Sequence, residues 1–306
     1  MATRTTILPT ASDEILFQND GVSLCLLLNR RARTLRVVDF RSGPNPAKRI
    51  FVMSLGKREG AERVYTLVER DEVSTWARLG FQREGNIPAF YKRSDAFILG
   101  AAVPGDLAQD RPGDSGVRPV FREITAADDA DSEVERAYQA ARRLAKERAS
   151  LPLPFARVQP AREADVKRAL AAALRSGRAL TAFEPFGRDV ERLAFSCTAR
   201  GGFSLMASVE TQPCFNNAFL ELLTGPRTEK EALLTTAAIR CLCDELLKRE
   251  IVCCFALSPA RDIELAAAYV MNGFRRTGLL NRHLVIGGER VDAFLWSRKL
   301  AQPNDA

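Results

Sequence analysis

The spacing of apolar residues in the last third of the chain alternates between strand and helix periodicity. Residues 218–223 and 251–257 are apolar runs of strand length, which are typical of buried strands. Between them, apolar residues recur every three or four positions from 232 to 249, which predicts a half-buried helix. A second helix is predicted to begin at Asp262 and to end before Phe274. This order of strands and helices predicts a layered, mostly parallel sheet.

The first hundred residues repeat this order of elements. Strand-length runs of mainly apolar residues lie at positions 14–17, 22–28, 34–40, 63–68, 81–92 and 96–101. A helix is predicted over residues 45–59, and a short helix ends before Gly80 as the later one ends before Gly273. Trp76 precedes Gly80 by the same four residues that separate Tyr269 from Gly273. We therefore predict an internal structural repeat.

The middle of the chain divides these two halves. Residues 103–131 are rich in Pro, Gly, Asp and Ala, which predicts a linker. Ser132 is predicted to cap a helix over residues 133–149. Further elements follow from Leu151, namely strands at 155–158, 192–199 and 203–210 and a helix at 161–175. We divide the chain into an N-terminal domain, a linker with a connecting helix and a C-terminal domain, at residues 1–103, 104–150 and 151–306.

Composition narrows the class of protein. Of the 306 residues, 46% are hydrophobic and 27% are charged, as in globular proteins. No apolar run approaches the roughly 20 residues that span a bilayer, and the N-terminus lacks the apolar core of a signal peptide, so we expect a cytoplasmic protein. The seven cysteines lack the spacing of metal ligands, so no metal site is predicted. The net charge of +7 is attributed to dispersed arginines rather than to a nucleic-acid surface.

Two motifs resemble a known family. Tyr269, three further residues and then Gly273-Phe274 close a helix that follows a strand–loop–helix–strand unit, which resembles the second half of the GNAT acetyltransferase fold. Residues 80–91, GFQREGNIPAFY, followed by SDAF at 94–97, resemble the N-terminal half of the β-lysine N-acetyltransferases. Those proteins place a partial GNAT-like domain before a full one. The resemblance implies an α/β fold with two GNAT-like domains, a mixed central sheet flanked by helices, and a partial first domain.

The resemblance also implies catalytic residues. Tyr269 matches the tyrosine that protonates the leaving thiolate in such enzymes, and its alternative role is a helix aromatic that packs on the sheet. Glu221 lies on the strand before the loop, where related enzymes place the carboxylate that deprotonates the amine, and its alternative role is an outward-facing strand residue. Glu210, on the preceding strand, is a second candidate for this base.

Acetyl-CoA is the cofactor that the resemblance implies. The end of a strand, the following loop and the next helix would hold it, through Leu222, Leu223, Thr224, Arg227, Lys230, Ala232 and Leu233. Lys230 replaces the glycine that lets the backbone approach the diphosphate, with Glu229 and Glu231 on either side. Two carboxylates near a diphosphate add repulsion of about 1 kcal/mol each. Cofactor binding is therefore predicted to be weakened or lost.

Two functions remain open at this level. The first is an N-acetyltransferase that transfers acetyl from acetyl-CoA to a small amine, with a β-lysine-like amino acid as the acceptor that the resemblance implies. The second is an inactive tandem protein that serves as a scaffold or senses a ligand, with a small molecule or a protein as its partner. A nucleic-acid-associated module is a weaker third interpretation of the basic charge. The sequence determines neither the oligomeric state nor the role of the first domain.

Overall fold

The computed structural model describes residues 12–19, 22–39, 45–91, 93–104, 124–188, 190–212 and 214–301. Its strands are β1 (Ser12–Asn19), β2 (Val22–Asn29), β3 (Thr34–Asp39), β4 (Arg63–Val68), β5 (Gln82–Ile87), β6 (Ala96–Ala102), β7 (Ala156–Pro160), β8 (Glu191–Ala199), β9 (Phe203–Gln212), β10 (Asn217–Leu222), β11 (Cys253–Pro259), β12 (Arg275–Ile286) and β13 (Glu289–Lys299). Its α-helices are α1 (Pro46–Arg58), α2 (Val73–Arg78), α3 (Ile124–Arg148), α4 (Glu163–Arg175), α5 (Glu229–Leu247) and α6 (Ile263–Met271).

One continuous sheet contains all of these strands in the order β1-β2-β3-β4-β6-β5-β12-β13-β11-β10-β9-β8-β7. Counted inward from its own edge of the sheet, each half has the same strand order. Strands β8 to β13 occupy the places of β1 to β6, and β7 is an additional outer strand. The predicted α/β class, with a mixed sheet in two similar halves and a shorter first half, is confirmed. Among the described strands only β3–β4 and β10–β11 pair in parallel, so the prediction of a mostly parallel sheet was wrong. The other pairs are antiparallel, and hairpins join some of them, such as β1–β2, β2–β3 and β12–β13.

The two helix ends that the sequence singled out have the same geometry. Gly80 and Gly273 have φ values of +80° and +75°, a backbone conformation that favours glycine after a helix. The next residue in each case, Phe81 or Phe274, donates its N–H at 3.1 Å to the carbonyl of Trp76 or Tyr269. Each phenylalanine ring also packs edge-on against the aromatic ring of that same helix residue, with centroids 4.9 and 5.1 Å apart. The similar sequence spacing thus produces the same local structure in both halves.

The halves meet where β5 and β12 pair antiparallel, with Gly85 opposite Gly278. A Cβ on Gly278 would lie 2.6 Å from the Glu84 carbonyl oxygen and from the Gly85 Cα, so only glycine allows this approach. Arg290 also joins the halves, because its guanidinium pairs with Glu62 and donates to the Arg33 carbonyl at 2.8 Å. Residues of both halves can therefore line a common cleft at this junction.

Two helix starts differ from the prediction. Helix α3 begins at Ile124 rather than after Ser132, so the Asp- and Ala-rich residues assigned to the linker are partly helical. Helix α5 begins at Glu229 with Thr228 as its N-cap, which is three residues earlier than predicted. The predicted tail before residue 12 and the linker over residues 105–123 lie outside the described residues. None of the helices within the described ranges is long and apolar enough to cross a membrane.

Candidate functional site

Strands β10 and β11 separate toward their carboxyl ends. Their parallel pairing runs from Asn217 opposite Cys253 to Leu220 opposite Ala256 and then stops. Both strands nevertheless continue, β10 to Leu222 and β11 to Pro259. The carboxyl ends of parallel strands are common places for ligands, because side chains and unpaired backbone groups meet there. This separation marks the candidate site.

A cleft of about 670 Å³, part of it open to solvent, lies at this separation and between the two halves. Its lining from the first half consists of Asn29, Arg31, Ala32, Thr34 and Tyr65. Its lining from the second half consists of Leu180, Thr181, Glu184, Pro185, Phe186, Phe219, Glu221, Leu222, Leu257, His283, Leu284 and Val285. The mixture of apolar walls with a few convergent polar groups is typical of small-molecule sites.

Glu221 is the acidic group in the cleft whose proton affinity is most altered. It is buried, and its Oε1 accepts a hydrogen bond from the Thr181 hydroxyl. Its Oε2 lies 3.3 Å from Arg192 Nη1 but outside hydrogen-bonding geometry. Burial raises the pKa of Glu221 from 4.5 to about 7, and the partial compensation by Arg192 does not reverse this. The carboxyl is therefore close to half ionised at neutral pH, which suits an acid–base group.

Glu210, the second candidate base, has a different environment. Its Oε2 accepts hydrogen bonds from the Phe186 N–H at 2.7 Å and from Arg192 Nη2 at 2.6 Å. Its Oε1 accepts from the Gly187 N–H. With both oxygens occupied by donors of the chain, Glu210 holds the loop before β8 in place. Of the two predicted candidate bases, Glu221 lines the cleft and Glu210 does not.

An ion pair between the halves lies at the cleft wall. Arg31, on the turn between β2 and β3, donates to both carboxylate oxygens of Glu184, with Nη2 and Oε2 3.0 Å apart. Burial alone would raise the pKa of Glu184, but the hydrogen bonds and the charge of Arg31 outweigh it and hold the pKa below its usual range. Glu184 thus stays ionised and paired at neutral pH.

Tyr269 is fully buried in helix α6, as in the packing role that the sequence left open. Its ring stacks on Trp296 with centroids 5.6 Å apart, and its hydroxyl has no hydrogen-bond partner among the described residues. Burial raises the pKa of Tyr269 well above its usual range, and the charge of Glu221 adds to this. The hydroxyl therefore stays protonated and is a buried donor without an acceptor among the described residues. Its predicted contact with a thiolate stays a prediction.

Tyr269→Phe tests that prediction. Because the hydroxyl is buried without a partner, its removal should leave stability unchanged or raise it by about 1 kcal/mol, measured by chemical denaturation. If the hydroxyl protonates a leaving group, turnover should fall roughly ten-fold or more. Tyr138→Phe is the control, since Tyr138 packs on the same Trp296 from helix α3. Full activity of Tyr269→Phe would remove this residue from the mechanism.

The N-terminus of helix α5 is capped by its own side chains. Thr228 Oγ1 accepts the Glu231 N–H at 3.2 Å, and Glu231 Oε2 accepts the Arg227 N–H at 2.8 Å. These are the kind of backbone donors that would bind a diphosphate. Glu229 and Glu231 place two carboxylates in the first turn, while Lys230 is exposed. The capping explains why this turn tolerates acidic residues, which stabilise a helix N-terminus.

A second contact spans the N-termini of α5 and α6. Arg148, at the end of α3, pairs with Glu229 at 3.3 Å and with both carboxylate oxygens of Glu264. Next to it, Asp262 Oδ2 lies 2.7 Å from the position that a Cβ on Gly225 would occupy. The space between the two helix ends is therefore filled by charged side chains.

The strand separation and the N-terminus of α5 can each be compared with the part of acetyl-CoA that it would bind. The strand separation, where the pairing of β10 and β11 stops after Leu220 and Ala256, would fit an extended thioester arm, whereas the Tyr269 hydroxyl is fully buried and does not line the cleft. The capped first turn of α5, with its carboxylates and the Arg148 contacts, does not fit a diphosphate. The chain therefore has an open cleft at the strand separation, while the N-terminus of α5 does not fit a diphosphate.

The remaining predicted cofactor residues lie in mixed environments. Leu222 lines the cleft. The backbone of Leu223 is already used, since its N–H donates to the Met206 carbonyl and its carbonyl accepts from the Leu180 N–H. Thr224, Arg227 and Leu233 are at least partly exposed, whereas Ala232 is buried. Sequence reasoning did not identify Tyr65 and His283 as cleft residues, because contacts between distant segments bring them there.

Solved structures similar to this chain include N-acetyltransferases. The ribosomal-protein-S18-alanine N-acetyltransferase from Escherichia coli is 19% identical, and the match covers 49% of this chain and 97% of that one with a TM-score of 0.37. The spermidine N-acetyltransferase from Vibrio cholerae in complex with CoA and spermine is 11% identical, with 47% and 95% covered and a TM-score of 0.39. No family model matches the sequence, and no curated protein matches it. At these identities and TM-scores the matches carry no argument about substrate or mechanism.

Proposed function

We propose that the chain binds a small primary amine in the cleft between its halves and that Glu221 takes a proton from it, as on the acceptor side of an N-acetyltransferase. One observation carries the proposal: a buried carboxyl with a pKa of about 7 lines the cleft where β10 and β11 separate. In water an amine is protonated at neutral pH and cannot act as a nucleophile. A carboxylate of raised pKa attracts the ammonium group and can accept its proton.

The surrounding residues orient this chemistry. Thr181 holds one oxygen of Glu221 through a hydrogen bond, while Arg192 lies beside the other. Apolar walls, including Phe219, Leu222 and Leu257, limit the access of water to the carboxyl. Low polarity strengthens the attraction between the ammonium group and Glu221. These features support a small amine as the ligand, and the resemblance implies a β-lysine-like amino acid as the acceptor in a cytoplasmic tandem GNAT protein.

A second candidate function is an amine-binding protein that does not transfer an acetyl group. The capped N-terminus of α5 favours it, because two backbone donors at this turn, the N–H groups of Arg227 and Glu231, are already occupied by the side chains of Glu231 and Thr228. A protein of this kind would keep the acceptor cleft and sense its ligand. Both functions require binding of an amine at Glu221, and titration of the wild-type chain and of Glu221→Gln with an amine tests this binding. Binding of acetyl-CoA distinguishes between them.

Acetyl-CoA is expected to bind weakly, with a dissociation constant of about 0.1 mM or higher, near −5.5 kcal/mol. Replacing Glu229 and Glu231 by glycine should tighten binding, because both carboxylates leave and the backbone becomes accessible. Replacing the same two residues by glutamine is the control, since it removes the charges and keeps both side chains. Calorimetric titration of the wild-type chain, the glycine variant and the glutamine variant with acetyl-CoA separates the effect of charge repulsion from the effect of steric access to the backbone.

Each outcome of this titration favours one candidate function. Tightening by the glycine variant, together with an acetylated amine as product, supports the transferase. Weak binding that neither variant improves means that Arg148 and Asp262 keep the space between the helices closed, which supports the binding protein. Micromolar binding by the unaltered chain would contradict the prediction that the N-terminus of α5 does not fit a diphosphate.

A further inference from the structure

His283 is the only histidine in the chain and lies on β12 at the cleft wall opposite the strand separation. His283 is only 8% exposed, and it is one of the residues that line the cleft. We infer that His283 is a fixed hydrogen-bond donor of the cleft, presenting Nε2–H to an oxygen acceptor of the ligand. The inference rests on the proposed function in one respect, namely that a ligand occupies this cleft.

Arg63 determines which nitrogen of His283 carries the proton. Its Nε–H donates to His283 Nδ1 at 3.2 Å. A guanidinium has five N–H donors and no acceptor, so Nδ1 must offer its lone pair. The proton of a neutral imidazole then lies on Nε2.

Arg63 is itself held rigidly. Its guanidinium pairs with both oxygens of Glu84 and donates to the Asn281 carbonyl at 2.6 Å, and the side chains of Arg63 and Glu84 are 6% and 4% exposed. Arg63 and Glu84 belong to the first half of the chain, whereas His283 belongs to the second. Residues of the first half thus determine the tautomer of His283, which the second half contributes to the cleft.

The surroundings of His283 keep the ring neutral. Burial lowers the pKa of His283 well below its usual range, and the nearby cations Arg63 and Arg290 lower it further. The edge of the ring also contacts Tyr65, with centroids 4.9 Å apart. A neutral, buried imidazole with one nitrogen occupied acts as a donor through the other rather than as a base.

The free side of the ring indicates the chemistry of the ligand. Within the described ranges, neither His283 Nε2 nor the hydroxyl of Tyr65 takes part in a hydrogen bond, although both residues line the cleft. A donor in a largely apolar cleft gains a favourable hydrogen bond when a ligand supplies the acceptor. A ligand with an amine for Glu221 and a carboxylate for His283 would use both of these lining residues. His283 is therefore a specificity-determining residue that favours amino acids over plain amines.

The tautomer can be measured directly, because the chain has a single histidine. In protein labelled with ¹⁵N-histidine, NMR should show one ring with a protonated Nε2 and a bare Nδ1, unchanged between pH 5 and pH 8. A protonated Nδ1, or a ring that gains a second proton between pH 6 and 7, would overturn the inference. This measurement needs no ligand, so its failure is distinct from failure of the proposed function.

Two substitutions test the role in binding. His283→Gln keeps an acceptor for Arg63 and a donor for the cleft, whereas His283→Phe removes both. L-lysine and cadaverine serve as probes because cadaverine is lysine without its carboxylate. We expect His283→Phe to weaken lysine binding about 10- to 100-fold and His283→Gln to retain it within a few-fold, with cadaverine unaffected by either.

The outcomes of the binding test are separable. Equal weakening of lysine and cadaverine by His283→Phe would overturn the role of His283 as a carboxylate donor. Lysine binding unaffected by His283→Phe would overturn it as well. If neither probe binds the wild-type chain, the proposed function fails with these amines and the donor role in binding fails with it, while the NMR result still decides the tautomer.

Discussion

Replacing Arg192 by methionine is expected to destabilise the fold by about 3–5 kcal/mol. Arg192 is 5% exposed and donates to Glu210 Oε2 at 2.6 Å, to the Glu184 carbonyl at 2.7 Å and to the Phe183 carbonyl. It also lies beside Glu221, at 3.3 Å. Without it, two buried carboxylates lose their nearest cation, and an uncompensated charge in the interior is costly. Equilibrium unfolding in urea measures the loss.

Two comparisons isolate the cause of this loss. Arg162→Met removes an arginine from an exposed pair with Asp165 and should leave the free energy of unfolding nearly unchanged. Adding Glu210→Gln to Arg192→Met should recover more than about 1 kcal/mol, because one of the stranded charges disappears. A loss below about 1 kcal/mol in Arg192→Met would show that water reaches this cluster and that burial of the charges is not what matters.

The sequence predicted elements well where local patterns decide the structure. The two Gly-Phe helix ends were identified because only a residue that tolerates positive φ ends a helix in this way. The start of α5 was placed three residues late because Glu229, Lys230 and Glu231 were interpreted as a degenerate loop. In the structure Thr228 and Glu231 cap a helix there, and the same residues that are wrong for a diphosphate are favourable for a helix N-terminus.

The cleft could be predicted only in part, because its two walls are far apart in sequence. Arg31 and Glu184 are 153 residues apart, and Arg63 and His283 are 220 residues apart. No local periodicity relates such pairs. No local pattern indicates that His283 is buried, because Arg63 and Tyr65 of the first half of the chain cover it. The join between β5 and β12 brings these residues together, and it depends on a close approach of two glycines.

Glu221 and Glu210 show why residue type alone does not identify a base. Both are buried glutamates on adjacent strands, and both lie near Arg192. Glu210 receives two backbone N–H donors from the loop before β8, one on each carboxylate oxygen. Glu221 receives one hydroxyl and keeps one oxygen without a hydrogen bond. The distinction lies in the path of the loop, which the sequence does not show.

Glu221→Gln is expected to lower acetyl transfer to an amine by about 10²- to 10⁴-fold, as loss of a general base does. It should also weaken amine binding at pH 8 about ten-fold or more, because the ammonium group loses its charged partner. In the wild-type chain, binding should strengthen as pH rises through about 7, where Glu221 ionises, and the variant should lack this step. Calorimetry with cadaverine at pH 6 and pH 8 measures both effects, and Glu191→Gln, outside the cleft, is the control.

The same substitution should change stability in a direction that follows from the pKa of Glu221, whether or not the protein is an enzyme. The folded pKa of about 7 exceeds the ordinary value of 4.5, so between these pH values the folded chain holds a proton that the unfolded chain has released. The stability that this proton contributes is fully present below pH 4.5 and is lost as pH rises through 7. Glutamine does not titrate, so the variant should gain on the order of 2 kcal/mol relative to wild type between pH 5 and pH 8, measured by denaturation at both values. A stability difference that is the same at both pH values would mean that Glu221 is already ionised at pH 5, and the carboxyl would then be a poor base for an amine.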